Sequence, residues 1–155
     1  MIIVEKSDPH HPQATALLQQ SHALMQSLFP PEDNFYLEVS DLAAPGIHFF
    51  TARIGADICG TGALAIKDGY GEIKSMFVAE TARGTGVADA ILRQIEDTAR
   101  DENLTVLKLE TGTLLHAAHK LYLRHGYTAC DVFGDYGSGN SSIYMQKRLD
   151  AQEQV

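Results

Sequence analysis

At 155 residues the chain has the size of a single domain, long enough to bury a core of its own. Its 45% hydrophobic and 21% charged residues are ordinary for a globular protein, and no apolar run approaches the ~18 residues of a membrane span. A formal charge of −8 argues against a general affinity for nucleic acid, which needs a basic face, and suits a cationic partner such as an amine. Cys59 and Cys130 cannot build a disulfide framework; in apolar, strand-like surroundings they are expected as buried thiols of a cytoplasmic protein. The Met1–Lys6 stretch lacks the basic and then apolar run of a secretory signal.

No repeat or long linker divides the chain, so residues 1–155 are expected as one domain. A short strand is predicted at Ile2–Glu5. From Pro12 to Leu28, Leu17, Leu18, Leu24, Met25 and Leu28 recur at helical spacing, and Pro30–Pro31 stop that helix. A second helical piece is predicted over Asn34–Leu42. The period then changes to two. Ile47–Ile54, Ile58–Ile66 and Gly71–Val78 alternate as strands, separated by turns at Gly55 and Asp68–Gly69, an antiparallel meander. A helix over Gly86–Glu102 carries Val87, Ala88, Ile91, Leu92, Ile95 and Ala99 on its apolar face, with Glu96 among the outward residues. A strand at Thr105–Glu110, a helix at Leu115–His125 capped by Gly126, and strands at Tyr127–Val132 and Ser141–Leu149 complete a mixed α/β sandwich.

The chemistry concentrates where the third meander strand meets the following helix. Arg83-Gly84-Thr85-Gly86-Val87-Ala88 presents successive backbone N–H groups and the positive end of a helix dipole to one point, with glycines that leave room for an approaching group. Such a loop suits a pyrophosphate. It is not a P-loop, since no lysine follows Gly86. A dinucleotide fingerprint is also a poor fit, because Asp89 replaces the third small residue and three antiparallel strands precede the loop.

Arg83–Ala88, behind the strand Glu72-Ile73-Lys74-Ser75-Met76-Phe77-Val78, resembles motif A of the GNAT (Gcn5-related) N-acetyltransferase superfamily. Ala118-His119-Lys120-Leu121-Tyr122-Leu123-Arg124-His125-Gly126-Tyr127 is similar to that family's second motif, in the same order along the chain. The resemblance implies a GNAT-like fold, with a central, mostly antiparallel twisted sheet and helices on both faces. It implies acetyl-CoA as co-substrate, its pantetheine paired to Met76, Phe77 and Val78 and its pyrophosphate on Arg83, Gly84, Thr85, Gly86, Val87 and Ala88. The implied reaction is direct attack of a primary amine, of a small molecule or a peptide, on the thioester. Tyr122 would protonate the departing thiolate, or else merely pack; Glu72 would act as general base, directly or through water, or else pair with a lysine. Phe29, Phe35 and Tyr36 would line the acceptor pocket, or else serve as core aromatics. The alternative function is a non-catalytic acyl-CoA-binding sensor, kept open by Leu115, which stands where many relatives have a cofactor-contacting asparagine. His116 and His119 share a helix face but lack a third ligand in sequence, so no metal is expected. An edge strand near Ser141–Leu149 would suit a homodimer.

Overall fold

The computed structural model describes residues 1–137 and 141–149; residues 138–140 and 150–155 lie outside it. Its elements run β1 (Ile2–Lys6), α1 (Pro12–Leu28), β2 (Ile47–Ile54), β3 (Asp57–Ile66), β4 (Gly71–Val78), α2 (Val87–Asp101), β5 (Val106–Gly112), α3 (His116–Arg124), β6 (Thr128–Ala129) and β7 (Ser142–Arg148). The strands form one sheet in the order β1-β2-β3-β4-β5-β7-β6, antiparallel throughout except for β4 beside β5. Strand alternation sorts the two faces. Phe49 and Ala63 pack with Ala14 and Leu18 of α1, whereas their neighbours Phe50 and Leu64 pack with Ile91 and Ile95 of α2 and Leu121 of α3. Helices therefore cover both faces of a mostly antiparallel sheet. No described helix is long and apolar enough to cross a membrane.

Several sequence expectations are corrected here. Residues 34–42 form no α-helix. Only one-turn 3-10 segments occur, at Pro31–Asp33 and Asp41–Ala43, because side chains take the backbone groups of the stretch between them. The Glu38 N–H donates to Asp41 Oδ2 at 3.0 Å, and Lys74 Nζ donates to the Phe35 carbonyl at 3.1 Å. Glu96, expected outward, is buried at 5% exposure, and the reason lies in partners that no helical period reveals. The last hairpin is uneven: β6 keeps two residues, after which Phe133 turns inward among Tyr70, Tyr136 and Tyr144. The sheet edge on that side is therefore β6, not β7. Cys59 is buried as expected, while Cys130 is half-exposed.

Two close contacts position α2 and α3 for the site. A Cβ on Gly60 would meet Val87 Cγ1 at 2.7 Å and Ile91 Cδ1 at 2.9 Å, so β3 needs glycine there for α2 to lie this close. Asp89, in the first turn of α2, accepts from Arg124 Nη2 at 2.7 Å and pairs with His125 Nε2 at 2.8 Å, tying α2 to the end of α3. Partial burial opposes the Asp89 charge, but the hydrogen bonds from His125 and Arg124 outweigh it and hold the carboxyl below its ordinary value of 3.8. A depressed carboxylate stabilises the fold above its unfolded pKa, and that contribution is lost as pH falls through the folded value. Asp89→Asn is expected to lower the urea midpoint at pH 7, with the gap to wild type closing as pH falls below 3.8. A gap unchanged down to that pH would show that the link does not depend on charge.

Candidate active site

The parallel pair β4–β5 is bonded only through Gly71–Ile73 opposite Leu107–Leu109, after which the strands diverge. From Lys74 onward the β5-facing backbone of β4 has no ladder partner, although β3 continues to pair its other side. That pairing itself slips between Thr61 and Ala63, opposite Ser75, which adopts φ 58°. Thr61 Oγ1 holds this bulge by donating to the Ser75 carbonyl at 2.8 Å. The wedge thus leaves the β5-facing edge of β4 along Met76, Phe77 and Val78 without a neighbouring strand, the arrangement an extended chain would join as an added strand.

At the far end of β4 lies the glycine loop. Gly84 and Gly86 adopt φ 78° and 91°, and nothing lies within 4 Å of where a Gly84 Cβ would sit. Gly86 is the N-cap of α2, and no side chain caps that helix. Among the described residues no acceptor takes the N–H groups of Gly84, Thr85 or Gly86. With the first-turn amides of Val87 and Ala88 they form a row of unanswered donors at a positive helix end, a fit for a pyrophosphate. Arg83 is exposed, with Nε donating to the Val78 carbonyl at 3.2 Å and its guanidinium 5.7 Å from the Phe77 ring centre. Thr85 Oγ1 donates back to the Ala82 carbonyl.

Beyond the wedge a cleft of about 120 Å³ is walled by α1, the 30s segment, β4, β5 and α3. Its size admits a small group, on the order of four water volumes. Tyr122, Phe29, Phe35, Tyr36 and Met76 all reach its wall, as do Leu115, Lys74 and Glu110. Leu115 is the residue before α3, so the asparagine missing from the second motif is replaced by an apolar wall. Tyr122 is 5% exposed, and its hydroxyl has no hydrogen-bond partner among the described residues. Burial, reinforced by the Glu110 charge, pushes its phenol well above the ordinary value, so it keeps its proton at neutral pH.

Glu72 is 4% exposed and stands behind Lys74, off the cleft wall. It accepts from the Tyr136 hydroxyl and lies 3.7 Å from Lys74 Nζ. Glu110 is held by Ser142 Oγ at 2.7 Å. Burial raises its carboxyl above the ordinary 4.5, opposed by the Ser142 bond and the Lys74 charge. Sequence assigns no role to Lys74, Tyr136 or Glu110, although Glu110 and Tyr136 stand in the segments Leu109–Gly112 and Phe133–Tyr136, which also resemble the family. The one available signal was the i, i+2 placement of Glu72 and Lys74, which puts them on one strand face. His119 Nε2 donates to the Gly112 carbonyl at 2.8 Å, and among the described residues no three His, Cys, Asp or Glu side chains gather as metal ligands.

Residues 14–127 match the Acetyltransferase (GNAT) family. The chain belongs to that family. It is 36% identical over 150 residues to an IAA acetyltransferase of Azospirillum brasilense, covering 96% of this chain and 98% of that one. It is 39% identical over 152 residues to the uncharacterized N-acetyltransferase YedL of Escherichia coli K12, covering 96% of each. Among solved structures, a Klebsiella pneumoniae protein assigned as an acyl-CoA N-acyltransferase superposes with a TM-score of 0.81 at 27% identity, over 96% of this chain and 98% of that one. This GNAT chain is thus an acyltransferase, and the cleft beside its β4–β5 wedge is the candidate active site.

Proposed function

We propose that this GNAT enzyme transfers the acetyl group of acetyl-CoA directly to a primary amine of a small molecule. The observation that carries the reading is the continuity of the site. The unanswered amides of residues 84–88 lead along the unpaired edge of β4 to the free Tyr122 hydroxyl on the cleft wall. Acetyl-CoA supplies the activated acyl group, with its pyrophosphate on Arg83–Ala88 and its pantetheine arm along Met76–Val78. Tyr122, protonated and desolvated, gives its proton to the departing thiolate. Glu72 is the final acceptor of the proton that the acceptor ammonium must lose before attack. Phe29, Phe35 and Tyr36 form the acceptor side of the cleft, whose small volume favours a compact amine over a peptide. Unpaired Cys59 and Cys130, both with thiols pushed up by burial, suit work in a reducing cytoplasm.

Calorimetric titration with acetyl-CoA tests the reading. Wild type is expected to bind one equivalent, and Gly86→Trp, which forces a bulky side chain onto φ 91°, to bind about a hundredfold more weakly. A screen of primary amines by thiol release should then find turnover. Binding without turnover on any amine would replace the enzyme by an acyl-CoA sensor. Absence of binding would remove the cofactor assignment altogether.

A further inference from the structure

We propose that Lys74 is the residue that meets the acceptor amine, and that Tyr136 connects it to Glu72 as a three-member proton relay. This rests on the transferase reading above and specifies how its buried carboxylate reaches the substrate.

Geometry carries the case. Glu72 is off the cleft wall, whereas Lys74 is on it with a side chain only 11% exposed. Lys74 Nζ donates to the Phe35 carbonyl at 3.1 Å and to the Tyr136 hydroxyl oxygen at 2.7 Å. The Tyr136 hydroxyl in turn donates to Glu72 Oε2. The direct Lys74–Glu72 separation, 3.7 Å, is too long for a hydrogen bond, so Tyr136 is the link. A neutral amine has two N–H groups and one lone pair. Both donors of a neutral Lys74 are accounted for by Phe35 and Tyr136, and Glu72 Oε2, 3.7 Å away, is its ion-pair partner when it is protonated. Deprotonated, the nitrogen keeps both hydrogen bonds and has its lone pair left to act as a base.

The charges around Lys74 come from every element packed on it. Glu72 on β4 and Glu110 on β5 favour the ammonium. Lys67, after β3, opposes it, and burial opposes it most, holding Lys74 below the ordinary lysine value of 10.5. Asp33 and Tyr36 line the cleft from the segment after α1, as Tyr122 does from α3, and Tyr144 of β7 packs 5.8 Å from Tyr136. The relay balances. The acceptor ammonium breaks one N–H bond as Lys74 gains that proton. Lys74 passes another of its protons to the Tyr136 oxygen, and Tyr136 passes its own to Glu72. The acceptor ends as a neutral amine and Glu72 as a carboxylic acid, with Lys74 and Tyr136 unchanged. Glu72 later returns the proton to water by the same path once product has left the cleft.

Arginine at position 74 separates charge from proton transfer, because a guanidinium keeps the charge and the donors but does not give up a proton. With the best amine from the thiol-release screen, Lys74→Arg and Lys74→Met are both expected to lose about a hundredfold in kcat/KM or more. Both should still bind acetyl-CoA like wild type. Tyr136→Phe, a positioning change, should lose about tenfold, at the low end of such proton-transfer effects. Glu72→Gln removes the final proton acceptor together with a charge that raises Lys74, so turnover should fall and the rising limb of the activity that remains should move to lower pH. Lysine Nζ resonances followed by NMR against pH provide a readout that needs no acceptor: Lys74 should titrate below 10.5 in wild type, and lower again in Glu72→Gln. A Lys74→Arg enzyme within about threefold of wild type would overturn the relay while leaving the transferase standing, since proton transfer of this kind contributes ~100-fold or more. So would a Lys74 that titrates at its ordinary value, or Glu110→Gln abolishing turnover while Lys74→Arg does not. Failure of wild type to acetylate any amine would instead remove the transferase reading, and the relay with it.

Discussion

Tyr122→Phe is expected to lower kcat by about 10²- to 10⁴-fold, the usual range for losing a positioned proton donor. The substitution isolates that role unusually well. The ring packs 5.7 Å from the Tyr127 ring, and phenylalanine keeps that packing. The hydroxyl has no partner among the described residues, so its removal leaves no buried group unpaired. Thermal stability and acetyl-CoA affinity should therefore stay close to wild type while thiol release falls. The raised phenol also predicts that wild-type activity shows no loss attributable to Tyr122 ionisation across the neutral range. A variant within about threefold of wild-type kcat would reduce Tyr122 to a packing residue, far short of a proton donor's contribution.

Glu96→Ala is expected to destabilise the fold by about 3–5 kcal/mol, the cost of leaving a buried charge without its partner. Glu96 lies on the inner side of α2, where it accepts from the Tyr127 hydroxyl at 2.8 Å and from Lys147 Nζ at 3.1 Å on both carboxylate oxygens. The pair is closed from solvent, at 6% exposure for Glu96 and 11% for Lys147. Alanine strands the Lys147 ammonium and the Tyr127 phenol together. Chemical denaturation of Glu96→Ala and of Glu96→Leu/Lys147→Leu separates the causes. The double variant removes both charges, so it should recover most of the loss that the single variant shows. A single variant within about 1 kcal/mol of wild type would mean that water or a rearranged Lys147 answers the charge.

The two predictions differ in how far the sequence foresaw them. Tyr122 belongs to a local motif, and its neighbours Leu121 and Gly126 stand within one helix and its cap, so a short window was enough to place it. Gly126 indeed takes φ 90° directly beyond the C-cap His125. Glu96 sits at a position that the 3.6-residue period assigns to solvent, and only Tyr127 and Lys147, distant in the chain, explain its burial. The Asn34–Leu42 error has a similar origin. The side chains of Asp41 and Lys74 claim backbone groups that a helix would use, and both partners lie outside what a helical period can show. Lys74, Tyr136 and Glu110 received no role from sequence, because their meaning comes from standing together.

By itself the sequence determined the α/β order, the sheet-forming meander, the long helices and the glycine loop before α2. Each of these rests on side-chain period or on backbone conformations that only certain residues permit, and both are properties of neighbouring positions. Tertiary structure alone decided where β4 and β5 part and which face of α2 accepts a charge. It also brought Tyr136 onto Glu72 and Lys74, 64 and 62 residues away in the chain. The physical reason is that a buried polar group is tolerable only when its partners arrive with it. Those partners come from separate strands, helices and loops, and no local pattern records their meeting.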